Sequence, residues 1–508
     1  MPETSAPRVV LLRFSGEIAV KARPTRTRFE RQLVRNVGDA VRSSGIAARV
    51  SRTRNRILVA TEDPRAAEVL ARVFGVQSLS VASVHPAEKL EQVVEAGTAL
   101  FRDAVAGRRF AVRARRVGDR AKIKLSGRDV ERLLGAALLP GAAGVDLGNP
   151  EVVARVELHE GQAYFCADVV KGPGGLPLDV EGRALALLSG GFDSAVAAWQ
   201  MLRRGVRLDY LFCNLGGRAH QLGTLRVARV LAEHWSYGGR PHLHALDFDA
   251  VAADIRARTR TRYWQVILKR QMLRAAELVA RERDPHGGSA PRQADALVTG
   301  EAVGQVSSQT LPNLATISQA TPLPILRPLV GANKDDIIRE AEAIGTAALS
   351  AVVDEYCAMV PTRPATVSRL ETVLAEEAKL DPALLERAVA ERAVLDLRAL
   401  GPEADAIPEL EIDVIPADAV VIDLRSKAAY GGWHWPGALR LDLDHALAAY
   451  RSFSREGRYV LYCEFGLKSA HLAERMREAG LAAWHFRGGL RALAAHARAR
   501  GGAGPEWQ

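Results

Sequence analysis

Short apolar runs set between polar, arginine-rich stretches give the first outline of the chain. RVVLLRF (8–14) and RILVA (56–60) read as strands on either side of a helical stretch around 26–44. Residues 66–74 and 88–106 have helical spacing, whereas RFAVRA (109–114) and VVARVEL (152–158) read as strands. Small mixed units of this kind predict an α+β region, and KGPGGLP (171–177) separates it from the central part of the chain. From 183 to about 350 the rhythm changes. ALALLS (184–189), VRLDYLFCNL (206–215), PHLHALDF (241–248), DALVTGE (295–301) and LPILRPL (323–329) are buried-type runs separated by helical segments. They predict a parallel sheet with right-handed crossovers. Residues 364–400 read as mostly helical and GPEADAIPELE (401–411) as a polar linker. A second α/β unit comes next, with AVVIDLRS (419–426), RYVLYCE (458–464), a helix at about 468–479 and LAAWHFRGG (481–489). The expected fold class is multidomain α/β, with an α+β N-terminal region, a central parallel-sheet domain and a C-terminal α/β domain.

Composition adds limits. A chain of 508 residues is too long for one hydrophobic core and predicts three or four domains. Its 48% apolar and 25% charged residues are those of a globular protein. No run of about 18 uncharged apolar residues occurs, so no membrane span is expected. The opening MPETSAPRVVLLRFSGE lacks a basic segment leading into a long apolar core, which predicts a cytoplasmic protein without a signal peptide. Four cysteines (Cys166, Cys213, Cys357 and Cys463) with no C-x-x-C pair exclude a disulfide scaffold and argue against a zinc site. Cys166 and Cys213 lie in apolar, strand-like runs and read as core residues.

Charge is unevenly placed. Residues 1–175 hold 29 Lys+Arg against 19 Asp+Glu, and the remaining 333 residues carry 40 of each sign. The whole excess of +10 therefore sits in the N-terminal third. It concentrates in 21–36 with 49–56, and in 108–132, where Lys21, Arg113, Arg115, Arg116, Lys122 and Lys124 are the candidate nucleic-acid contacts. This placement predicts a polyanion-binding module attached to a neutral body.

The candidate chemistry begins at LALLSGGFDSAVAA (185–198), where a strand hands over to a helix through a phosphate-sized turn. It has no Walker lysine and no Gly-x-Gly-x-x-Gly. Ser189, Gly190, Gly191 and Ser194 can turn amides and hydroxyls onto phosphate, with the helix dipole behind them. Asp193 would repel a phosphate unless Mg²⁺ lay between them, and without the Walker lysine the turn suits a departing pyrophosphate. Lys269, on an otherwise apolar helix face, either snorkels to solvent or meets phosphate as a point charge. The polar stretch LVTGEAVGQVSSQT (297–310), with Gly300 and Gln309, follows a strand and can form a ligand-binding rim.

Cys463 ends RYVLY and opens CEFGLKS before a helix, where loop amides and the dipole favour a thiolate or persulfide; a buried structural thiol is the alternative. The position six residues on is Ser469, so a Cys-x5-Arg phosphatase is disfavoured. Cys357, in DEYCAMVPTRP, gains interest only from Cys463, because a persulfide donor needs a second thiol to resolve it.

Taken together, GEIAVK (16–21), FAVRARR (110–116), LLSGGFDS (187–194), FCNLGGRAHQLG (212–223), LVTGEAVGQVSSQT, DEYC (354–357) and the C-terminal DLRS, GWHWPGA and YCEFGLKS resemble the bacterial tRNA 4-thiouridine synthase family in its long form. The resemblance implies a ferredoxin-like domain (1–62), a THUMP RNA-binding domain (63–170), a pyrophosphatase-loop adenylation domain of the adenine-nucleotide α-hydrolase type (178–398) and a rhodanese domain (412–500). It implies ATP contacts by Leu187, Leu188, Lys269, Gly300 and Gln309, a role for Asp193 in adenylation, a persulfide on Cys463 and a catalytic Cys357–Cys463 disulfide. Its implied partners are tRNA, a cysteine desulfurase, a thiamine-pathway sulfur-carrier protein and a second copy of the chain. The implied reaction adenylates O4 of uridine 8 and replaces it with sulfur. Adenylation of a small molecule is the competing reading; it leaves the basic third and Cys463 without a task.

Overall fold

The computed structural model describes residues 8–53, 56–119, 121–215, 217–282, 293–351, 363–401, 408–464 and 466–499. The chain divides into two compact units: 1–181 with 202–207 and 234–239, and the remainder.

The first unit is built on one sheet of nine strands among the described residues: β1 (Arg8–Phe14), β2 (Arg49–Thr53), β3 (Arg56–Ala60), β4 (Val76–Pro86), β5 (Arg109–Arg116), β6 (Gly144–Val145), β7 (Val152–His159), β8 (Gln162–Cys166) and β9 (Val170–Lys171). Their order is β2-β3-β1-β4-β8-β7-β5-β6, with β9 on β4. The long strand β4 had no sequence-based expectation. Its serines and histidine dilute the apolar pattern, yet it pairs with β1 on one edge and with β8 and β9 on the other. Helix Arg23–Ser43 buries Phe29, Leu33, Val37 and Ala40 against one part of this sheet. Helices Leu90–Val105 and Gly127–Leu138 bury Val93, Phe101, Val130 and Leu134 against another.

The second unit holds two sheets. One has the order β14-β13-β10-β11-β12-β15. Its strands are β10 (Arg183–Leu187), β11 (Arg207–Asn214), β12 (His242–Asp247), β13 (Ala296–Val298), β14 (Ile325–Leu326) and β15 (Ala393–Asp396). The pairings β10–β13, β11–β12 and β13–β14 are parallel, as expected from the buried-type runs. The stretch 364–400 departs from its mostly helical reading. Helices Leu370–Glu377 and Pro382–Ala390 are there, but AVLD then extends as β15 antiparallel to β12. Ala and Leu suit either conformation, and the open edge of β12 decides between them.

The other sheet is wholly parallel, in the order β16-β20-β19-β17-β18. It comprises β16 (Glu411–Ile412), β17 (Val420–Asp423), β18 (Leu439–Arg440), β19 (Arg458–Tyr462) and β20 (Ala482–Phe486). Part of the expected linker, 402–407, lies outside the described residues; its last residue, Glu411, already belongs to this sheet. The segment after Gly489, from which sequence offered nothing, is helix Gly489–Ala499, with Leu490, Leu493 and Ala494 buried. No described helix is long and apolar enough to cross a membrane.

Candidate active site

The strand order places β11 and β13 on opposite sides of β10, so the chain reverses direction there. The C-terminal ends of such strands splay and leave a crevice. A cavity of about 410 Å³ occupies it, lined by Leu187, Leu188, Ser189, Asp193, Ser194, Lys269, Gly300 and Gln309. Eight of the expected nucleotide-site residues thus meet. Leu211, Phe212, Leu268 and Met272 give the cavity an apolar wall.

Gly190 and Gly191 are not among the lining residues; they shape the turn. Gly190 has φ 79°, a left-handed conformation that favours glycine. Ser194 Oγ accepts the Ser189 N–H at 3.1 Å, donates to the Gly191 carbonyl at 3.2 Å and lies 3.2 Å from Ser189 Oγ. Gly300 works at a distance from its own strand: a Cβ there would stand 2.6 Å from the Asp193 carbonyl carbon and the Ser194 nitrogen. Only a glycine lets the β13 loop close against this helix start.

Asp193 accepts from Lys334 Nζ at 2.8 Å and from Gln305 Nε2 at 2.9 Å. Lys269 donates to Glu301 at 2.9 Å, and Glu301 also receives Arg327 at 2.8 Å and the Thr299 hydroxyl at 3.2 Å. Burial pushes the Glu301 carboxyl up, but Lys269 and Arg327 outweigh it and hold the group below the usual carboxylate range. Lys269 is therefore a point charge at the cavity wall, not a snorkelling residue. His220 completes the rim. Burial drives its pKa down to about 4, opposed by a hydrogen bond with the Ser189 backbone, so it is neutral at pH 7. Glu301 and Gln305 fall inside the polar stretch 297–310, and His220 inside FCNLGGRAHQLG, but none was singled out from sequence. Lys334 carried no local signal at all, and Arg327 lies in a run that reads only as an apolar strand.

The donor set fits an adenine nucleotide. Gln309 Oε1 is buried in the cavity wall with no hydrogen-bond partner among the described residues, an acceptor suited to an exocyclic amine. Asp193, held by Lys334 and Gln305, is the carboxylate in this cavity lining beside the turn that would hold a cation. No group of three or more His, Cys, Asp or Glu able to hold a metal occurs among the described residues.

Cys463 follows β19 at the C-terminal rim of the parallel sheet and is 2% exposed. Its Sγ lies 3.5 Å from Ser469 Oγ, which donates to the Gly466 carbonyl at 3.1 Å. Gly466 has φ 81° and starts helix Leu467–Glu478. Gly489, with φ 63°, lets the next segment pass so closely that a Cβ would sit 2.7 Å from the Glu464 carbonyl. A buried Asp423–Arg425 pair supports the neighbouring strand end, with Nε–Oδ1 at 3.0 Å and Nη2–Oδ2 at 2.7 Å. Cys357 lies outside the described residues. Cys166 is buried, in keeping with a core role. Cys213 is partly buried at the end of β11 and lines the cavity, where desolvation pushes its thiol pKa up.

In the first unit, Lys21, Arg113, Arg115, Arg116, Lys122 and Lys124 are all exposed or half-buried at the surface. Lys122 lies 3.8 Å from Glu160, and Lys21 rests over the Phe29 ring at 5.8 Å. Other arginines of the basic third serve the fold. Arg13 and Arg56 bind buried Glu157 at 2.9 and 2.8 Å and, with His159, hold it at about 2 against the upward push of burial. Arg26 and Arg52 flank buried Glu30. Part of the basic excess is thus structural.

Comparison with known proteins gives four matched families: the ThiI ferredoxin-like domain (residues 9–80), the THUMP domain (87–168), thiamine biosynthesis protein ThiI (179–381) and the rhodanese-like domain (411–496). A tRNA sulfurtransferase of Pyrobaculum aerophilum is 39% identical over 485 residues, covering 94% of this chain and 96% of its own. One of Aeromonas salmonicida is 35% identical over 485 residues, covering 92% and 98%. Among solved structures, a 4-thiouridine synthetase–RNA complex with bound ATP aligns at TM-score 0.65 and 30% identity, over 77% of this chain and 99% of that one.

Proposed function

The chain belongs to the tRNA sulfurtransferase (ThiI) family, and from that premise we propose that it uses ATP to adenylate O4 of uridine 8 in tRNA and replaces that oxygen with sulfur from a Cys463 persulfide. One observation carries the reading: eight separately expected residues line one cavity at the reversal point of the central sheet. The names of its relatives, and the ATP-bound RNA complex of a similar protein, support the substrate pair.

In this reading, the apolar wall and Gln309 take the adenine, and the 189–194 turn takes the pyrophosphate as it leaves. Lys269 and Lys334 neutralise phosphate charge, and Asp193 would hold a Mg²⁺, which would supply further positive charge against the phosphates. Adenylation turns a poor oxygen leaving group into AMP. The terminal sulfur of the persulfide then bonds to C4 and AMP departs with the C4–O bond. Cys357 thiolate attacks Cys463 Sγ, which breaks the S–S bond, leaves thiouridine and forms the Cys357–Cys463 disulfide. A two-electron reductant returns both thiols. A cysteine desulfurase loads Cys463, and Lys21, Arg113, Arg115, Arg116, Lys122 and Lys124 meet RNA phosphates. The same persulfide would serve a sulfur-carrier protein for thiamine synthesis, and the enzyme would act as a cytoplasmic homodimer. Domain limits of 1–62, 63–170, 178–398 and 412–500 go with this assignment.

The test is ATP-dependent thiolation of an unmodified tRNA transcript by the purified protein with a desulfurase and cysteine. 4-Thiouridine at position 8 is expected; its absence, with the desulfurase active, rejects the proposal.

A further inference from the structure

The helix Gly217–Trp235 contributes His220 to the nucleotide cavity, yet it has no acidic residue in its own first turn. A carboxylate reaches that turn from the helix packed on β19 and β20 of the other sheet. Glu474, on the helix that follows Cys463, accepts the Arg218 N–H at 2.9 Å. Gly217 makes room for it: its φ is 75°, and a Cβ there would lie 2.9 Å from Glu474 Oε1. Asn214, at the end of β11, fixes the same turn by donating to the Gly217 carbonyl at 2.9 Å. A second tie runs beside the first. The Arg218 guanidinium pairs with Glu409, whose carbonyl also receives Arg477 from the Cys463 helix. His471 of that helix has its pKa lowered by burial first, and then by the charges of Arg475 and of His220.

A helix start exposes unpaired N–H groups and a partial positive charge, and a carboxylate satisfies both. Here the helix that supplies it directly follows the turn that holds the Cys463 thiol. We propose that the first turn of helix Gly217–Trp235 is the docking seat of the sulfur-carrying domain and that Glu474 is the positioning residue that seats it, holding the Cys463 helix beside the nucleotide cavity during sulfur delivery. The inference rests on the proposed function, because docking matters to chemistry only if Cys463 delivers to an adenylated base. The seat is separate from both reacting centres: Glu474 is neither in the cavity lining nor in the 463–466 turn.

Glu474→Ala and Glu474→Gln in the full-length protein test this. Persulfide loading of Cys463 by a desulfurase, and tRNA thiolation from inorganic sulfide and ATP, should stay within about twofold of wild type. Thiolation with the desulfurase as donor should fall roughly tenfold in Glu474→Ala, the weight of one charge-assisted hydrogen bond. Glu474→Gln, which keeps an acceptor oxygen for Arg218, should recover part of it. Hydrogen exchange of the 217–220 amides should quicken in Glu474→Ala. Unchanged desulfurase-driven thiolation, lost persulfide loading, or unaltered exchange at 217–220 each overturns the proposal. If the wild-type protein thiolates no tRNA even from sulfide, the functional reading has failed, and the exchange measurement still decides the docking.

Discussion

Two turns of the second unit, at Ser189 and at Cys463, are built alike and sit in opposite surroundings. Each follows a parallel strand and turns on a left-handed glycine, Gly190 at φ 79° and Gly466 at φ 81°. Each has a serine hydroxyl donating to a glycine carbonyl three residues earlier, Ser194 to Gly191 at 3.2 Å and Ser469 to Gly466 at 3.1 Å. That same hydroxyl reaches the first residue of the turn, Ser189 in one and Cys463 in the other. Each also has a buried histidine beside it: His220 bonds the Ser189 backbone, and a Cβ on Gly466 would lie 3.7 Å from His485 Nδ1. The difference lies in what the turn faces. Ser189 is exposed at a cavity rim with Lys269 and Lys334 nearby, whereas Cys463 is 2% exposed and packs in a core cluster. One geometry thus opens onto a cavity with cations beside it in one place. In the other, apolar side chains surround it and bury the thiol; under the proposed function the first would cradle an anion and the second would keep a nucleophile out of solvent.

The largest effects should separate the two turns. Cys463→Ala should lower desulfurase-driven thiolation by about three orders of magnitude while sulfide-driven thiolation persists. Asp193→Asn should lower both by about a hundredfold, because it removes a group from the shared adenylation step. Product analysis with each sulfur source checks the pattern; loss of sulfide-driven activity in Cys463→Ala would merge the two roles.

Next in size are the glycines, whose demands differ within each turn. Gly300→Ala puts a methyl 2.6 Å from the Asp193–Ser194 backbone and should cost about 1–3 kcal/mol and most ATP affinity. Gly191→Ala meets only Ser189 Oγ at 3.6 Å and should be tolerated within about 1 kcal/mol. Gly489→Ala, at φ 63° and 2.7 Å from the Glu464 carbonyl, should resemble Gly300→Ala but spare nucleotide binding. Thermal midpoints and ATP titrations distinguish these outcomes. Smaller still, Ser194→Ala leaves the Ser189 N–H without its acceptor and should weaken ATP roughly tenfold. Ser469→Ala removes a weaker contact to sulfur and should slow persulfide loading only about threefold.

How much of this was readable beforehand depends on the range of each interaction. The strand–turn–helix grammar of SGGFDS and CEFGLKS is local, so both turns could be marked from sequence. The parallel strands were visible as buried-type runs. β4 was missed because its polar positions look like loop, and β15 because Ala and Leu look helical; in both, a neighbouring strand edge decides. The counter-charges were missed for another reason. Lys334 reaches Asp193 from a segment with no composition to mark it, and Arg327 reaches Glu301 from a run that reads only as an apolar strand. The basic third illustrates the converse: counting charge located it, but only burial distinguishes Arg13 and Arg56, bound to Glu157, from exposed Arg113 and Arg115.

The histidines behind the turns give the smallest effect and the finest test of the likeness. Burial, foremost, lowers His220 and His485 to about 4 from 6.5, and His471 and His244 share that value. A pKa lower in the folded than in the unfolded chain means that the unfolded chain takes up the proton first as pH falls. Each histidine therefore contributes stability that is complete above about 6.5 and is lost progressively toward 4. At pH 5 the loss is on the order of 1–2 kcal/mol per histidine. His220→Asn and His485→Asn cannot titrate, so each should lower the thermal midpoint at pH 7 and shrink its drop between pH 7 and pH 5. If the turns are equivalent in construction, the two variants should flatten the acid limb by similar amounts. His220→Asn alone should also raise the KM for ATP, because only its turn borders the cavity. A steep acid limb surviving in His485→Asn would mean that the Cys463 turn does not lean on its histidine, and the parallel would then stop at the glycine and the serine.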